Sequence, residues 1–423
     1  MAKIVMEKET LVFCAPVNEG TQRWGVYSIP RLWRLPSGEF VVCCNGEADH
    51  VEADARACPD LFFLSSDGVH WRETDGKNID LTVPANVDSP YVFLPNGKRA
   101  CIREKANRKA VTAPVYKRFS PPNGDGEHFV YKQGDLSKDE FACEFCTFDE
   151  RGNLLSAQET DIRFPERELI LFGGYYEDEK FVSLPVFVKP RAWSSPYIYS
   201  VNLLPDSTLV GVCFGQNPSV SDRYCAESYL VQSKDGITWT KRSTITKNAT
   251  AYKYGLVGDG GESSLSIAPN GDMYCLTRTD MSIDHESDDS SADAMLFVSK
   301  DGGYTWSEGR SVADSSVTPH VLAFDNGRVA IVYGRPGVHI ALSEDGGETF
   351  SAPVTVIGET LKEALASGKS YMQAKYYDMD SYSNTFVERT GENEFLLLYT
   401  DMKYDDGDRQ RHKATLVRKI KII

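Results

Sequence analysis

Short runs of apolar and β-branched residues, separated by polar turns, recur along the whole chain. Four of these runs (LFFL, YLVQ, MLFV and HIAL) lead into Ser-x-Asp-Gly, beginning at Ser65, Ser233, Ser299 and Ser343, and each turn sequence ends in Trp or Phe. The Asp carboxylate can accept hydrogen bonds from turn amides, Gly can adopt a positive φ, and the aromatic ring can pack under the turn. The pattern predicts four β-hairpins, whose turns we call the turn boxes.

A second pattern lies one strand pair upstream: an apolar stretch, a turn with Gly or Asp, and a β-rich run. Its six copies are roughly 55 to 70 residues apart, except for one wider gap, and begin at Tyr27, Ser89, Ser195, Glu262, Thr318 and Tyr382. A module of this size cannot bury both faces of its sheet alone, so stacking around a ring is expected. The sequence predicts one all-β domain over residues 1–423, a six-bladed β-propeller of four-stranded antiparallel blades.

The wider gap separates the second and third copies. Within it, FACEFCTFDERGNLLSAQ is interpreted as the outer hairpin of the second blade without its turn box, which leaves residues 106–137 as a loop insertion. A seventh blade is the alternative. The stretch ETLKEALASG, from Glu359, predicts the one helix.

Composition narrows the class of protein. Of the 423 residues, 41% are hydrophobic and 25% are charged, with no apolar run near the length of a membrane span. The net charge of −15 argues against nucleic acid and anionic lipid as partners, so an anionic ligand must be met by a local cluster of arginines. The N-terminal stretch lacks the basic and apolar regions of a secretory signal, and we expect a cytoplasmic protein, although a mature secreted form has the same appearance.

No metal or cofactor is expected. The ten cysteines are scattered among apolar neighbours and read as thiols. Cys143 and Cys146 form a C-x-x-C, but without a second pair the segment CEFCTF is interpreted as a strand. The acidic stretch HESDDSSADA, from His285, lacks the spacing of an EF-hand loop.

The turn boxes and the upstream repeat resemble the sialidase (neuraminidase) superfamily of six-bladed β-propellers, and the resemblance covers essentially the whole chain. It implies an exo-glycosidase acting on a terminal acidic sugar such as a sialic acid. The boxes are structural turns that also occur in propellers with other functions, so each functional residue must be matched separately.

Four residues match the family's active site by this resemblance. Tyr382, in DSYSNTF, corresponds to the nucleophile, and Glu262, in GGESSLSIAPNG, to its partner. Arg278, sixteen residues after Glu262, and Arg335, in YGRPGVHIALSEDGG, correspond to two of the three arginines that clamp the sugar carboxylate. Arginine suits this role because its guanidinium can pair with a carboxylate through two hydrogen bonds.

The resemblance also implies an acid/base aspartate on a loop ahead of the first turn box. Asp54 lies eleven residues before Ser65, the approximate spacing of the family, while Asp49 and Asp60 are alternatives in the same acidic loop.

The chain departs from the family at the first clamp arginine, where Ser28-Ile29-Pro30 replaces Arg-Ile-Pro. Arg31, Arg34 or Arg23 are candidate replacements, although strand alternation turns Arg31 away from the face of Ser28. Loss of one such contact costs roughly 1.5 to 3 kcal/mol, or about ten- to a hundred-fold in affinity. A changed substrate is therefore expected, and His320, at the head of the fifth repeat, is a candidate for an additional donor.

Three functions remain open. The first is a retaining exo-glycosidase for a terminal acidic sugar. The second is a propeller that cleaves a different uronic or keto-acid sugar, by hydrolysis or by β-elimination, with His320 or a tyrosine as base. The third is a carbohydrate-binding propeller without catalysis. All three take a carbohydrate partner, and the sequence leaves the oligomeric state open.

Overall fold

A computed structural model of the chain describes residues 2–16, 27, 29–35, 37–44, 46, 59–75, 92–104, 109–119, 127–141, 143–150, 153–162, 168–177, 180–184, 201–216, 226–246, 263–278, 293–370, 373–374, 380–381, 383–405, 407 and 412–423.

Six antiparallel sheets form the six blades of a β-propeller, which confirms the predicted fold class. Blade 1 contains β3 (Pro30–Arg34), β4 (Phe40–Cys44), β5 (Leu61–Ser65) and β6 (Arg72–Thr74). Blade 2 contains β7 (Val92–Phe93), β8 (Arg99–Glu104), β11 (Cys143–Phe148) and β12 (Leu154–Thr160). Blade 3 contains β15 (Val201–Leu203), β16 (Leu209–Gln216), β17 (Ala226–Ser233) and β18 (Thr240–Thr244).

Blades 4 and 5 follow the same order of four consecutive strands. Blade 4 contains β19 (Ser263–Ile267), β20 (Met273–Arg278), β21 (Ala294–Ser299) and β22 (Arg310–Ala313). Blade 5 contains β23 (His320–Ala323), β24 (Val329–Gly334), β25 (Val338–Ser343) and β26 (Val354–Ile357). The hairpin β11–β12 is the outer hairpin predicted for blade 2, and Cys143 and Cys146 lie on its first strand as expected.

Blade 6 joins the two termini of the chain. Its last three strands in sequence are β27 (Phe386–Gly391), β28 (Glu394–Tyr404) and β29 (His412–Ile422). Two N-terminal strands, β1 (Ile4–Met6) and β2 (Thr10–Pro16), pair antiparallel with β29 and complete the blade. These backbone hydrogen bonds close the ring, because they join the first residues of the chain to the last.

The segment predicted as a loop insertion contains two strands, β9 (Lys117–Phe119) and β10 (Glu127–Lys132). β9 pairs with β10, and β10 pairs with β13 (Glu168–Glu177). β13 also pairs with β14 (Lys180–Ser183) and meets blade 3 at Glu168 and Gln216. A 3₁₀ turn (Gln133–Asp135) and the short helix α1 (Lys138–Phe141) connect β10 to blade 2. The insertion is thus a small antiparallel sheet attached to blade 3.

Alternation along the strands packs neighbouring blades together. In β24, where every residue is buried, Val329, Ile331 and Tyr333 contact the blade 4 side, while Ala330 and Val332 contact the blade 6 side. Because successive side chains point to opposite faces, each blade buries one face against each neighbour.

The four turn boxes connect the third and fourth strands of blades 1, 3, 4 and 5, as the sequence predicts. In the fourth-blade box, Asp301 Oδ1 accepts hydrogen bonds from the amides of Tyr304 and Thr305 at 3.0 and 2.9 Å. Gly302 and Gly303 have φ values of +74° and +86°. The amide of Gly303 donates to Ser299 Oγ at 2.9 Å. The hydrogen bonds to Asp301 lower the pKa of its carboxyl.

The predicted helix is α2 (Leu361–Ala366). It begins with a capping box: Thr360 Oγ1 accepts from the amide of Glu363 at 3.2 Å, and Glu363 Oε2 accepts from the amide of Thr360 at 2.8 Å. A second 3₁₀ turn, Asp325–Gly327, links β23 to β24. Among the described residues, no helix has the length and apolar character needed to span a membrane.

Candidate functional site

The predicted site residues that the structure describes lie at one end of the ring. In each blade the first strand begins where the second ends, as the pairs Pro30 with Cys44, Ser263 with Thr277 and His320 with Val332 show. We call this the upper end, and the opposite end, which carries the turn boxes, the lower end. Arg31, Arg278, Arg335 and His320 all lie at or next to the upper end. Tyr382, Glu262 and Asp54, and also Ser28, lie outside the described residues.

Arg335 lies in a tight turn between β24 and β25. It is buried, with 6% of its surface exposed, and has a φ of +73°. Its amide donates to the carbonyl oxygen of Gly337 at 2.8 Å. A Cβ on Gly334 would overlap that same carbonyl oxygen and lie 2.8 Å from Ser383 Oγ. The turn is therefore compact, and its glycines are needed for the close approach of neighbouring backbone.

This turn is hydrogen-bonded to the residues on both sides of Tyr382. The amides of Asp380 and Ser381 donate to the carbonyl oxygen of Pro336 at 3.1 and 3.0 Å. The hydroxyl of Ser383 donates to the carbonyl oxygen of Gly337 at 2.7 Å. The structure thus connects the segment that contains the predicted nucleophile directly to the turn that contains Arg335.

Left-handed backbone is concentrated at the upper end. Five described residues other than glycine have a positive φ, and four of them lie at this end: Tyr27 before β3, Thr318 before β23, Arg335, and Ser383 before β27. The fifth, Ser207, is in a lower-end turn. Such conformations cost about 1 to 3 kcal/mol each and persist where the surroundings enforce them, often at functional sites. For a β-branched residue such as Thr318 the conformation is a marked outlier.

Hydrogen bonds between blades 5 and 6 hold Thr318, one of these strained positions. Thr318 Oγ1 donates to Asn384 Oδ1 at 2.7 Å, and Thr385 Oγ1 donates to the carbonyl oxygen of Thr318 at 3.2 Å. The entrances to β23 and β27 are therefore fixed relative to each other.

His320 belongs to the same contact. It has no exposed surface, its Nε2 donates to the carbonyl oxygen of Thr385 at 2.6 Å, and its ring centroid lies 6.0 Å from that of Phe386. The sequence suggested a substrate donor or base at this position. The structure instead places the histidine inside the interface between blades 5 and 6, where a buried imidazole satisfies a carbonyl group.

Arg278 ends β20, opposite Ala294, and is half-buried. The register of β19 and β20 pairs Ser263 with Thr277, directly beside the position of Glu262 in the sequence. The hydroxyls of Ser228, Ser263 and Thr277 form a buried chain with distances of 3.1 and 3.2 Å, which lines the same end of blades 3 and 4 with polar groups.

Arg31 is the second residue of β3, is 6% exposed, and lies opposite Cys43. It is the described arginine closest in sequence to the missing family position. Asp60, one of the alternatives to Asp54, accepts a hydrogen bond from the amide of Gly46 at 2.8 Å and thus joins two loop ends of blade 1. The other alternative, Asp49, lies outside the described residues.

Sequence reasoning missed two carboxylates of blade 6: Asp380, two residues before Tyr382 in the sequence, and Asp401. Asp380 forms an ion pair with Lys403 at 2.9 Å. Asp401, near the end of β28, accepts from the amide of Lys403 at 2.8 Å. Burial raises the pKa of Asp401, and the neighbouring Asp380 adds to this effect. The position of Asp401 within the repeat could have indicated it, because Asp401 lies near the upper end of the second strand of its blade, as Arg278 and Arg335 do.

The described part of the chain contains no group of three or more His, Cys, Asp or Glu side chains arranged to hold a metal ion. The upper end instead offers buried arginine, hydroxyl groups and carboxylates, a set suited to binding a polar organic ligand through hydrogen bonds.

Comparisons with known proteins agree with this architecture. Residues 192–400 match the family described as a BNR repeat-like domain. The chain is a six-bladed β-propeller that contains a BNR repeat-like region, and its fold is similar to that of a sialidase. Comparison with curated protein sequences gives no match.

Among solved structures, the chain is similar to a protein of unknown function from Dyadobacter fermentans, with 14% identity, a TM-score of 0.55 and 99% of both chains covered. It is also similar to the Hadza microbial sialidase Hz136, with 12% identity and a TM-score of 0.50, and the match covers 94% of this chain and 66% of the sialidase. A third similar structure is the α-L-arabinofuranosidase Arb93A of Fusarium graminearum, with 13% identity, 98% of both chains covered and a TM-score of 0.48. At these identities the likeness concerns the fold.

Proposed function

We propose that the protein is an exo-glycosidase that hydrolyses a terminal acidic sugar, a sialic acid or a related 2-keto sugar acid, with retention of configuration. One observation carries the proposal: the buried Arg335 turn is hydrogen-bonded to the residues on both sides of Tyr382. An arginine turn that is bonded to the residues flanking a tyrosine in the sequence supports a substrate whose anomeric carbon bears a carboxylate.

In the proposed mechanism, Arg335 and Arg278 bind the sugar carboxylate through paired hydrogen bonds. Tyr382 attacks the anomeric carbon while Glu262 takes its phenolic proton, and Asp54 protonates the leaving oxygen. Water, activated by Asp54, then cleaves the sugar from Tyr382, whose oxygen regains the proton from Glu262. A neutral tyrosine is preferred as nucleophile because an anionic carboxylate would be repelled by the substrate carboxylate. Use of a tyrosine is the known exception among glycosidases.

Ser28 favours a substrate other than an ordinary sialic acid, because the first arginine of the family clamp is missing. Arg31 is the candidate replacement in blade 1. If Arg31 contributes to the clamp, Arg31→Lys lowers kcat/KM on the carboxylate substrate as Arg335→Lys does. If it supports β3 only, the substitution changes the melting temperature and leaves the specificity for acidic over neutral sugars unchanged.

The experiment that tests the proposal is a substrate screen. The protein is incubated with sialyl, ketodeoxyoctonate and uronate glycosides, and the released sugar is identified by chromatography. Hydrolysis of a keto-acid glycoside supports the proposal. An unsaturated product that absorbs in the near ultraviolet marks elimination, and cleavage of uronates alone marks the second function that the sequence left open. Sugar binding without cleavage of any glycoside contradicts catalysis and leaves a carbohydrate-binding propeller.

A further inference from the structure

A groove lies at the lower end of the ring, away from the site described above. It occupies about 390 Å³ between the outer edge of blade 3 and the turn box of blade 4. Its walls include Gln232, Thr238, Thr240 and Arg242 of blade 3, and Tyr304 of blade 4. We call it the box-side groove. Its size is within the range of small-molecule sites in proteins.

The two walls of the groove are fixed to each other. Ser243 Oγ, on the outer strand β18, donates to the carbonyl oxygen of Gly303 at 2.6 Å. Trp306 Nε1 donates to Ser243 Oγ at 3.0 Å. Blade 3 is thus bonded to two residues of the fourth-blade turn box, so the groove is preformed and a ligand loses little binding energy to rearrangement.

Tyr304 provides an aromatic surface at the groove. Its backbone amide is held by Asp301, and the guanidinium carbon of Arg242 lies 4.2 Å from its ring centroid. The side chain nevertheless remains 59% exposed. A tyrosine ring that is braced by a cation and still exposed presents a rigid apolar surface to solvent, whose exposure costs free energy that a ligand can recover.

The charged side chains of the groove balance in number, Asp206 and Asp235 against Lys234 and Arg242. Lys234 pairs with Asp206 at 2.8 Å. Asp235 accepts from the amides of Ile237 and Thr238, and these hydrogen bonds lower the pKa of its carboxyl. The lining therefore has no net charge that would attract an ion or a strongly charged peptide.

Arg242 adds donors to this lining. Its Nε and Nη1 are buried and have no hydrogen-bond partner within the described residues. Unsatisfied buried donors are rare in folded proteins, because a buried N–H without a partner costs free energy. A small polar ligand that reaches the guanidinium would satisfy them.

We propose that the box-side groove is a second carbohydrate-binding site, which takes one or two units of an uncharged oligosaccharide. A sugar ring has an apolar face, which would stack on Tyr304, and a rim of hydroxyls, which match Gln232, Thr238, Thr240 and Arg242. The site is separate from the upper end and does not depend on catalysis there. In a glycosidase it would hold a neighbouring part of a glycan chain.

The test uses lactose and arabinotriose as uncharged probes, observed by saturation-transfer NMR with the full chain. We expect binding of at least one probe with a Kd of roughly millimolar order, and loss of stacking in Tyr304→Ala to weaken it at least about ten-fold. Tyr116→Ala is the matched control, because Tyr116 is also an exposed tyrosine, 52% accessible, beside a cation, with Lys132 Nζ 4.5 Å from its ring centroid. This control is expected to bind the probe as the unmodified protein does.

Four results would overturn the proposal. These are no binding of either probe at about 10 mM, equal binding by Tyr304→Ala and the unmodified protein, displacement of the probe by inorganic sulfate, and loss of binding in Arg278→Ala, which would place the probe at the upper end. Retained binding in Arg278→Ala supports the proposal even if the upper end proves inactive.

Discussion

The hydroxyl of Ser383 donates a 2.7 Å hydrogen bond to the carbonyl oxygen of Gly337, across 46 positions of the sequence. This bond joins blade 6 to blade 5 at the upper end of the propeller. Ser383 follows the predicted nucleophile, and Gly337 closes the turn of Arg335. The bond therefore fixes the position of the Ser383 segment relative to the turn of Arg335.

Removing this hydroxyl is expected to lower activity without unfolding the protein. Ser383→Gly tolerates the φ of +59° and removes only the side-chain hydrogen bond. Loss of about 1 to 1.5 kcal/mol of positioning is expected to reduce kcat/KM about ten-fold. The matched control is Ser207→Gly, an exposed serine with a φ of +61° at the lower end, for which no change is expected. Equal losses in the two variants would mean that backbone flexibility, and not this bond, is responsible.

Replacing either proposed clamp arginine with lysine keeps the charge and removes the paired hydrogen bonds. For Arg335→Lys and Arg278→Lys we expect kcat/KM on an acidic sugar glycoside to fall by about ten- to a hundred-fold. The rate on a neutral analogue that lacks the carboxylate is expected to change little. Arg72→Lys, an exposed arginine in β6, serves as the control. An equal fall on both substrates would show that the arginines do not bind the carboxylate.

The turn boxes also predict a difference between two adjacent glycines. A Cβ on Gly302 meets open space, whereas a Cβ on Gly303 would overlap the side chain of Leu230 in blade 3. The positive φ is expected to lower the free energy of unfolding of both alanine variants by about 1 to 2 kcal/mol. Overpacking against Leu230 is expected to lower that of Gly303→Ala by a further 1 to 3 kcal/mol, roughly. Denaturant unfolding is expected to show that Gly303→Ala is the less stable variant. Equal stability would argue against tight packing between the box and the neighbouring blade.

Stability is expected to depend on Glu388 in β27. Burial raises its pKa to about 7, despite the opposing effect of Arg99 and Arg34. Between pH 4.5, the ordinary value, and about 7, the folded protein retains a proton that the unfolded chain releases, so the free energy of unfolding falls as the pH rises. Between pH 5 and pH 8, the free energy of unfolding of the unmodified protein is expected to fall by about 1 to 3 kcal/mol more than that of Glu388→Gln. Urea unfolding at the two pH values measures this difference. An equal change in the free energy of unfolding for the two proteins would contradict the raised pKa.

Much of the fold was predictable because its signals are local. Each turn box lies within eight residues, and its Asp, Gly and aromatic positions determine the hairpin without long-range information. Blade 2 has no turn box, and its outer hairpin was predicted from the two strands alone. In the structure, Asp149 Oδ1 accepts a hydrogen bond from the amide of Asn153 at 2.8 Å in that turn. Ring closure was not predictable in this way, because β2 pairs with β29 across almost the whole chain.

The candidate site was predictable only in part. Family motifs indicated Arg278 and Arg335, and the structure brings both to the upper end. The left-handed conformation of Arg335 and its connection to Ser383 depend on contacts between blades and leave no pattern in the sequence. His320 shows the opposite error, since a histidine at a strand head suggested a ligand contact, whereas blade packing buries it against Thr385. The ion pair of Asp380 with Lys403 likewise depends on the folding of blade 6 and leaves no pattern in the sequence.

The most direct test of the central claim compares Tyr382→Phe with the unmodified protein on a fluorogenic keto-acid glycoside identified by the substrate screen. The account predicts that the unmodified protein releases the fluorophore, and that Tyr382→Phe releases none while keeping the same melting temperature. Undiminished release by Tyr382→Phe would contradict the account.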